Sequence, residues 1–488
     1  MTKITADVGI VAAGPSGLAA AVAAAESGAK VVVFEKSNIT GGVANMGMGP
    51  FAVESRLQKA AMVNLTKEDA FRTYMNAMEW NVDAKIVRDY FWRSADTIDW
   101  LMGMGVKFVA AMKNFPTSQP TWHVVMPEEG GQVGSRCASA MYKQMTKYAT
   151  EQGVEFYLST AVTGLKKDGD KVVGFYAKSE SGEEYDVDVK ATVVCTGGFG
   201  TNPEMIAQNT GYTMGKDMFT FMIPGIVGDG VKMVWEAGGK HGRMMMEKIV
   251  GHAMPNVLMG EINQFLNFTQ GSPIGINKAG QRVCDESVMQ NMSIGANIID
   301  IQQDRTMFKI LDDKMIRYFK KNGQEFPNEV FPGDPTINFD EVWEDCAARF
   351  PDCAMCADSL EELAEKMGVP ADALVATVEH YNEMCAQGYD DDFGKPRQFM
   401  RAIDGKKFYA YRVSISAYGS LGGIKVNPNY ETIAVDGSVI PGLYAAGSDT
   451  CEIYNGTYYY DYPGNSMGYA INSGRFAGEN AADYALGN

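Results

Sequence analysis

A glycine-rich turn near the start of the chain has the residue types and spacing that hold a nucleotide pyrophosphate. The turn Ala12–Gly17 reads Ala-Ala-Gly-Pro-Ser-Gly, which is the G-x-G-x-x-G pattern with alanine in the first glycine position. Gly14 lets the backbone approach the pyrophosphate, and Gly17 lets the next helix pack closely on the preceding strand. Glu35 follows at about the 20-residue distance expected of a carboxylate that binds ribose hydroxyls. These residues predict a dinucleotide site, which could serve FAD or NAD.

The segments around this turn predict the βαβ unit that must position it. Apolar residues 8–12 and 30–34 are typical of buried strands, and the alanine-rich segment 18–26 between them is typical of a helix. Comparable patterns continue along the chain. They predict strands at 154–158, 171–178, 192–195, 422–426 and 439–446, and helices at 229–237, 359–367, 371–384 and 466–484.

The pattern of elements predicts two domains. Both ends of the chain alternate strands with helices, whereas the middle is rich in methionine and charged residues. We therefore expect residues 1–241 and 409–488 to form one α/β domain, with residues 242–408 inserted as a second domain.

Composition excludes several classes of function. The 488 residues carry a net charge of −17, which disfavours nucleic acid or an anionic membrane surface as the main partner. We find neither an apolar run long enough to span a bilayer nor a secretory leader. The 8 cysteines are too few for a disulfide scaffold and indicate reduced thiols in the cytoplasm. Cys353 and Cys356 have metal-site spacing, but no second pair completes a site, so we predict no metal.

Further glycine motifs extend the pattern over nearly the whole chain. In order, they are Thr40–Gly42, Thr196–Gly200, Val227–Gly230 and Pro441–Gly447. Together with the turn at Gly14, they resemble the flavoprotein family of fumarate reductases, succinate dehydrogenase flavoprotein subunits, urocanate reductases and 3-ketosteroid dehydrogenases. The resemblance implies a Rossmann-type FAD-binding domain of the glutathione-reductase kind with an inserted α+β capping domain that closes over the substrate.

The same resemblance implies which residues hold FAD. Glu35 would bind the adenosine ribose, Asp229 and Ser448 would lie along the ribityl chain, and the helix that begins at Asn465 would face the flavin pyrimidine. The segment Val43–Met48 lacks the histidine through which succinate dehydrogenases attach FAD, so we expect non-covalent binding. The full predicted set is Ala12, Gly14, Pro15, Ser16, Gly17, Glu35, Lys36, Gly41, Gly42, Val162, Thr196, Gly197, Gly198, Asp229, Gly447, Ser448, Asn465, Ser466 and Met467.

The substrate site departs from the fumarate-type pattern. No Lys or Arg occurs between Lys425 and Arg475 or between Arg282 and Arg305, where arginines would hold a dicarboxylate and donate a proton. The run Tyr462–Gly464 instead resembles the ketosteroid dehydrogenases, whose tyrosine at this place hydrogen-bonds a ketone oxygen. The predicted catalytic residues are Tyr462, Tyr418, Tyr460, Glu286 and His252.

The resulting hypothesis is an FAD-dependent oxidoreductase acting on CH–CH groups. It would reduce or form a C=C bond conjugated to a ketone, in a steroid-like or other enone, with tyrosines as acid and as donors to the developing oxyanion. One alternative is a reductase of an unsaturated carboxylate that uses Arg401 or Arg412 in a rearranged site. Another is a flavin electron carrier without its own substrate. The electron donor or acceptor is not identified by any motif.

Overall fold

A computed structural model describes residues 1–253, 271–323, 325–326 and 339–487, apart from the side chain of His252. Its strands are β1 (Thr2–Val11), β2 (Val31–Phe34), β3 (Phe108–Met112), β4 (Trp122–Val125), β5 (Glu155–Tyr157), β6 (Thr160–Asp168), β7 (Lys171–Ser179), β8 (Glu184–Val194), β9 (Met218–Thr220), β10 (His241–His252), β11 (Gly275–Ile276), β12 (Thr306–Asp312), β13 (Ala354–Ala357), β14 (Phe408–Ile424), β15 (Glu431–Ile433) and β16 (Val439–Ala445). Its α-helices are α1 (Pro15–Glu26), α2 (Arg56–Ala60), α3 (Lys67–Ala77), α4 (Ala84–Gly103), α5 (Ser139–Glu151), α6 (Pro203–Thr210), α7 (Asp229–Glu236), α8 (Met292–Asp300), α9 (Asp313–Asn322), α10 (Phe339–Arg349), α11 (Leu360–Met367), α12 (Ala371–Gln387) and α13 (Asn465–Leu486).

The first sheet forms from both ends of the chain and positions the glycine turn. Its eight strands follow the order β15-β16-β8-β1-β2-β5, with β6 and β7 continuing from β8. The pairs of β1 with β2 and β8, of β8 with β16, and of β2 with β5 are parallel. Parallel strands joined through helices make a Rossmann-type core, which confirms the predicted α/β fold. The carboxyl ends of β1, β2 and β8 therefore meet at one edge, where the nucleotide motifs lie.

Helix α13 packs directly on α1 because glycines remove the side chains between them. A Cβ on Gly474 would lie 2.1 Å from the Ser16 carbonyl oxygen, and one on Gly478 would lie 2.3 Å from that of Ala20. Both distances are far below van der Waals contact. This close packing brings the amino-terminal ends of α1 and α13 toward the same edge of the sheet.

The second sheet is built around one long strand of the inserted region. Strand β14 pairs antiparallel with β10, β12 and β13 and parallel with β9. The boundary predicted between residues 408 and 409 falls at the start of this strand. Residues 409–424, which we assigned to the FAD-binding domain, therefore pair with the sheet of the inserted region.

The first strand is longer than the sequence predicted. Strand β1 begins at Thr2, six residues before the predicted strand, because residues 2–6 pair with residues 185–189 of β8. Most side chains of residues 2–6 are not buried, so their hydrophobic pattern does not reveal the strand.

Within the described ranges, no helix is both long and apolar enough to cross a bilayer.

Candidate active site

A single cavity of about 1080 Å³ runs from the glycine turn to the second sheet. At one end it is lined by the turn after β1, and at the other by Tyr418 of β14 and Glu247 of β10. Its volume lies at the upper limit of small-molecule sites, which run from about 300 to 1,000 Å³. The cavity therefore has a nucleotide end and an end lined by phenols and a carboxyl group.

The glycine turn has the geometry that close approach to a pyrophosphate requires. A Cβ added to Gly14 would meet no atom within 4 Å, so its backbone faces open space. A Cβ on Gly42 would lie only 3.4 Å from the Gly14 Cα, so the backbones of the two glycines are close neighbours. Ala12, in the position usual for glycine, has a φ of 78°, a left-handed conformation that strains an alanine.

Two charged residues follow β2 at this end of the cavity. The Glu35 carboxylate accepts the backbone N–H groups of Ala13 and Ser37, each at 2.7 Å, and so is held at the carboxyl edge of the sheet. Lys36 Nζ lies 2.6 Å from a carboxylate oxygen of Asp229. All three ionisable side chains line the cavity.

Three helices begin at the cavity without a side-chain cap. Helices α1, α7 and α13 each follow a glycine, at Gly14, Gly228 and Gly464. In the first turns of α7 and α13, the Gly230 N–H donates to the Thr196 hydroxyl and the Ser466 N–H donates to the Tyr458 hydroxyl. The dipoles of all three helices favour negative charge at the cavity. A pyrophosphate and a reducible ring that gains negative charge are groups of this kind, so the residues present fit FAD.

Asp449 orders the turn that follows β8, although the sequence interpretation did not single it out. This fully buried carboxylate accepts from the Thr196 N–H and from the Gly198 N–H, the latter at 2.8 Å. Burial raises its pKa, and the hydrogen bonds from these amides oppose that shift. Its position two residues after Gly447, at the end of the last glycine motif, is the signal that could have identified it.

Most of the predicted FAD-binding residues line the cavity, and the rest support it from behind. Gly17 allows α1 to pass over the strand end, since a Cβ there would lie 1.9 Å from the Ala12 carbonyl oxygen. Lining residues are Ala12, Gly14, Pro15, Ser16, Glu35, Lys36, Gly42, Val162, Thr196, Gly197, Asp229, Ser448, Ser466 and Met467. Gly17, Gly41, Gly198, Gly447 and Asn465 are not among the lining residues.

Tyrosines dominate the opposite end of the cavity. Tyr418, Tyr458 and Tyr460 line it, and the hydroxyl oxygens of Tyr418 and Tyr460 lie 3.1 Å apart. The Tyr458 hydroxyl accepts the Ser466 N–H at the start of α13, at 3.3 Å. Burial raises the pKa of Tyr460 to about 12 and that of Tyr418 further, so both phenols are protonated donors at neutral pH.

Glu247 completes this end and was missed by the sequence interpretation. Its carboxyl group lines the cavity and is buried, and burial raises its pKa to about 7 against the opposing hydrogen bond with Ser466. Glu247 lies in a methionine-rich stretch without any motif, so only the pairing of β10 with β14 shows where its side chain is.

Relatives of the chain agree with this arrangement. A family described as "FAD binding domain" matches residues 7–466. The chain belongs to this family. It is 30% identical over 487 residues to vinyl phenol reductase of Lactiplantibacillus plantarum, covering 98% of this chain and 96% of the relative.

Solved structures of flavoenzymes share the fold. The open conformation of a flavocytochrome c3 fumarate reductase has a TM-score of 0.70 at 25% identity, over 99% of this chain and 79% of the other. The 3-ketosteroid-delta4-(5alpha)-dehydrogenase from Rhodococcus jostii RHA1 has a TM-score of 0.72 at 23% identity, over 99% and 98%. The chain is an FAD-dependent oxidoreductase of the class that acts on C=C bonds. Non-covalent attachment of FAD stays a prediction.

Tyr462, the tyrosine of the ketosteroid-like run, does not line the cavity of this flavoprotein. It is 1% exposed, and its ring packs against Phe51, Phe91 and Tyr459 on the side of the loop that faces α3 and α4. Tyr458 and Tyr460 of the same loop line the cavity, whereas Tyr459 does not. This placement argues against the predicted contact of Tyr462 with a ketone, whereas the other two predicted tyrosines, Tyr418 and Tyr460, line the cavity.

Glu286, another predicted catalytic residue, is not among the residues that line the cavity. Glu286 is fully buried between Arg282, at 3.1 Å, and Lys395, at 3.0 Å. Burial alone would raise the pKa of Glu286, but these two cations lower it, which keeps the carboxylate ionised and unsuited to donate a proton. The backbone of His252 ends β10 opposite Val413, and its side chain lies outside the described residues.

Proposed function

We propose that this flavoenzyme reduces a C=C bond conjugated to a ketone in a substrate without a carboxylate at the reacting end. The observation that carries the proposal is the pair of hydroxyl groups on Tyr418 and Tyr460, 3.1 Å apart, at the end of the cavity remote from the pyrophosphate turn. FAD, when bound and reduced, supplies a hydride. The protein must then stabilise the charge that develops on the substrate oxygen and deliver a proton.

The tyrosine pair matches the first task. Hydride addition at the β-carbon of an enone shifts electrons onto the carbonyl oxygen, and one phenol can donate to that oxygen while accepting from the other. Removing such a donor costs about 10²- to 10³-fold in rate in enzymes with comparable oxyanion sites. Because both phenols are protonated at neutral pH, neither needs a preceding proton transfer before it can donate.

The positions of the cations argue against a carboxylate substrate. Among the described cavity-lining residues, the cations are Lys36, Arg136 and Lys143. Lys36 pairs with Asp229 and Lys143 with Glu128, while the Arg136 backbone N–H binds the Met46 carbonyl near the pyrophosphate segment.

The two arginines considered for a rearranged carboxylate site are engaged elsewhere. Arg401 pairs with Glu325 at 3.0 Å and lies over the Tyr318 ring, and Arg412 donates to the Thr306 hydroxyl. Neither lines the cavity. The extension of the cavity from the glycine turns to the tyrosines also favours an enzyme over a flavin electron carrier. The electron partner is not identified, and the cytoplasmic location stays a prediction.

An alkenyl phenol is a second candidate substrate, favoured by the 30% identity to a vinyl phenol reductase over nearly the whole of both chains. In such a molecule the phenolic oxygen is conjugated with the alkene in the same way as an enone oxygen. Protonation of the terminal carbon, with loss of the phenolic proton, would prepare the benzylic carbon for the hydride. The same tyrosines would then contact the phenolic oxygen.

The substitution Tyr460→Phe tests the proposal. We expect kcat/KM for an α,β-unsaturated ketone to fall about 100-fold, since the hydroxyl acts on charge that develops in the transition state. The flavin content should be unchanged, because Tyr460 lies at the end of the cavity remote from the pyrophosphate turn. Steady-state kinetics with an artificial electron donor measures the effect.

Tyr459→Phe is the matched control, because the neighbouring ring packs against Tyr74 and Tyr462 and does not line the cavity. It should keep wild-type kcat/KM. Wild-type activity in Tyr460→Phe, or an equal loss in both variants, would contradict a role for the tyrosine pair.

A further inference from the structure

Glu247 carries a buried carboxyl group at the tyrosine end of the cavity. The proposed role of the tyrosines gives no reason for an acid at this place. Glu247 is 8% exposed and lies on β10, which otherwise contributes apolar side chains such as Met246 and Ile249 to the core. A carboxyl group in such surroundings is costly unless it has a partner or a task. Its hydrogen-bond partner is Ser466, in the first turn of α13.

A β-bulge directs Glu247 and Tyr418 to the same place. Met246 is paired with Ser420 and Lys248 with Ala417, so two residues of β14, Tyr418 and Gly419, lie opposite Glu247 alone. Bulges are frequent beside active sites because the extra residue re-aims a side chain. Here the irregularity lets side chains from two adjacent strands enter one cavity.

The groups that face Glu247 are neutral phenols. Tyr418 belongs to β14, and the loop before α13 contributes Tyr454, Tyr458 and Tyr460. The hydroxyl group of Ser466, on α13, also faces Glu247. Two carboxylates of that loop do not line the cavity: Asp461 accepts from Asn291, and Glu452 pairs with Lys425.

The cations nearest in sequence along β10 are committed elsewhere. Lys248 pairs with Asp300 of α8 at 2.7 Å, and Arg243 donates to the carbonyl oxygens of Asn81 and Tyr454. Without a cation beside it, the buried Glu247 keeps its proton up to a pKa of about 7. An acid of this strength can donate near neutral pH, whereas the flanking phenols are far weaker acids.

We propose that protonated Glu247 is the catalytic acid that protonates the substrate carbon next to the carbonyl, an inference that rests on the proposed reduction of a conjugated C=C bond. The tyrosine pair holds the oxygen, and the hydride that the reduced FAD supplies forms the C–H bond at the β-carbon. The electron pair of the resulting enolate then forms a C–H bond at the α-carbon as the O–H bond of Glu247 breaks. The carbonyl is restored, and the Glu247 carboxylate regains a proton from water.

The test is Glu247→Gln in the FAD-loaded enzyme. Glutamine has the same shape but no acidic proton, so we expect kcat to fall about 10²- to 10⁴-fold with flavin content unchanged. In the wild-type enzyme kcat should decrease as pH rises through about 7, because Glu247 must be protonated to donate. The residual kcat of Glu247→Gln should not show this decrease with pH. Glu247→Asp should restore part of kcat together with the decrease.

Asp461→Asn is the control, since burial also raises the pKa of Asp461 but its side chain does not line the cavity. It should keep both the rate and the pH dependence of the wild type. Equal kcat in Glu247→Gln and wild type, or the same decrease of kcat with rising pH in both, would overturn the assignment.

Thermal stability gives a readout that is independent of turnover. The folded-state pKa of Glu247 is raised to about 7 from an ordinary value of 4.5, so its stabilising effect is complete below pH 4.5 and is lost as pH rises through 7. The thermal midpoint of wild type should therefore fall relative to Glu247→Gln between these pH values. A constant difference would contradict the buried, protonated state. Failure of wild-type enzyme to reduce any enone, with this stability difference present, would instead overturn the proposed function.

Discussion

Replacing Gly14 and Gly17 by alanine should separate binding of FAD from folding. Gly14→Ala is expected to fold normally, because its φ is −71° and the new Cβ meets no atom within 4 Å. That methyl group would occupy space that the pyrophosphate needs, so we expect FAD affinity to fall roughly 100-fold, or about 2.7 kcal/mol. Fluorescence titration of apoprotein with FAD measures the change.

Gly17→Ala should instead destabilise the folded protein. The added Cβ would lie 1.9 Å from the Ala12 carbonyl oxygen, and backbone cannot move away without separating α1 from β1. We expect a loss of several kcal/mol, about 3–5, in the free energy of unfolding, with loss of bound flavin as a consequence.

Gly103→Ala is the control for both variants, because its Cβ would also meet open space but far from the glycine turn, at the end of α4. It should leave both FAD affinity and folding intact. Normal FAD affinity in Gly14→Ala would show that the pyrophosphate does not lie against this turn.

Arg282→Met should unfold the inserted region. Arg282 has 2% of its side chain exposed, and it holds the fully buried carboxylates of Glu286 and Asp390 at 3.1 and 3.0 Å. Removing the cation leaves Glu286 with the ammonium group of Lys395, and it leaves Asp390 with the backbone N–H groups of Asp392 and Lys395. Breaking a buried ion pair by removal of one partner costs about 3–5 kcal/mol. Chemical denaturation followed by circular dichroism measures this loss.

Lys366→Met, in the same region, is the comparison. The Lys366–Glu362 pair on α11 is exposed, so its loss should not change the denaturation midpoint measurably. An Arg282→Met protein as stable as wild type would show that the buried ion cluster is not what holds this region together.

The parts of the fold that the sequence predicted are those fixed by local geometry. The turn at Gly14, the helix after it and the closing helix α13 depend on neighbouring residues and on periodicity, and the structure confirms them. The long antiparallel pair of β10 and β14 escaped prediction except at residues 422–424. The two strands are more than 150 residues apart in the sequence. Polar and apolar residues alternate only weakly along them, because both faces of the strands are largely buried.

The same distinction explains the site. Residues at the nucleotide end follow motifs, so the sequence and the family resemblance could name candidates, and most of these line the cavity. Glu247 and Tyr418 meet only through a bulge between distant strands, and no single segment carries that information. Tyr462 was predicted from its motif, but its ring packs against Phe51, and Tyr460 lines the cavity instead. A glutamate in a sequence of buried residues, such as Glu286, could not be distinguished from a catalytic acid before its cationic partners were known.

We expect the tyrosine end of the cavity to accept a neutral oxygen conjugated to an alkene and to exclude a carboxylate. The most direct test mixes the anaerobically reduced enzyme with benzylideneacetone or with cinnamate, which share the same alkene and differ in ketone against carboxylate. We predict that the absorbance of oxidised flavin returns rapidly with the ketone and not with the acid. Rapid reoxidation by cinnamate, with none by the ketone, would contradict the account.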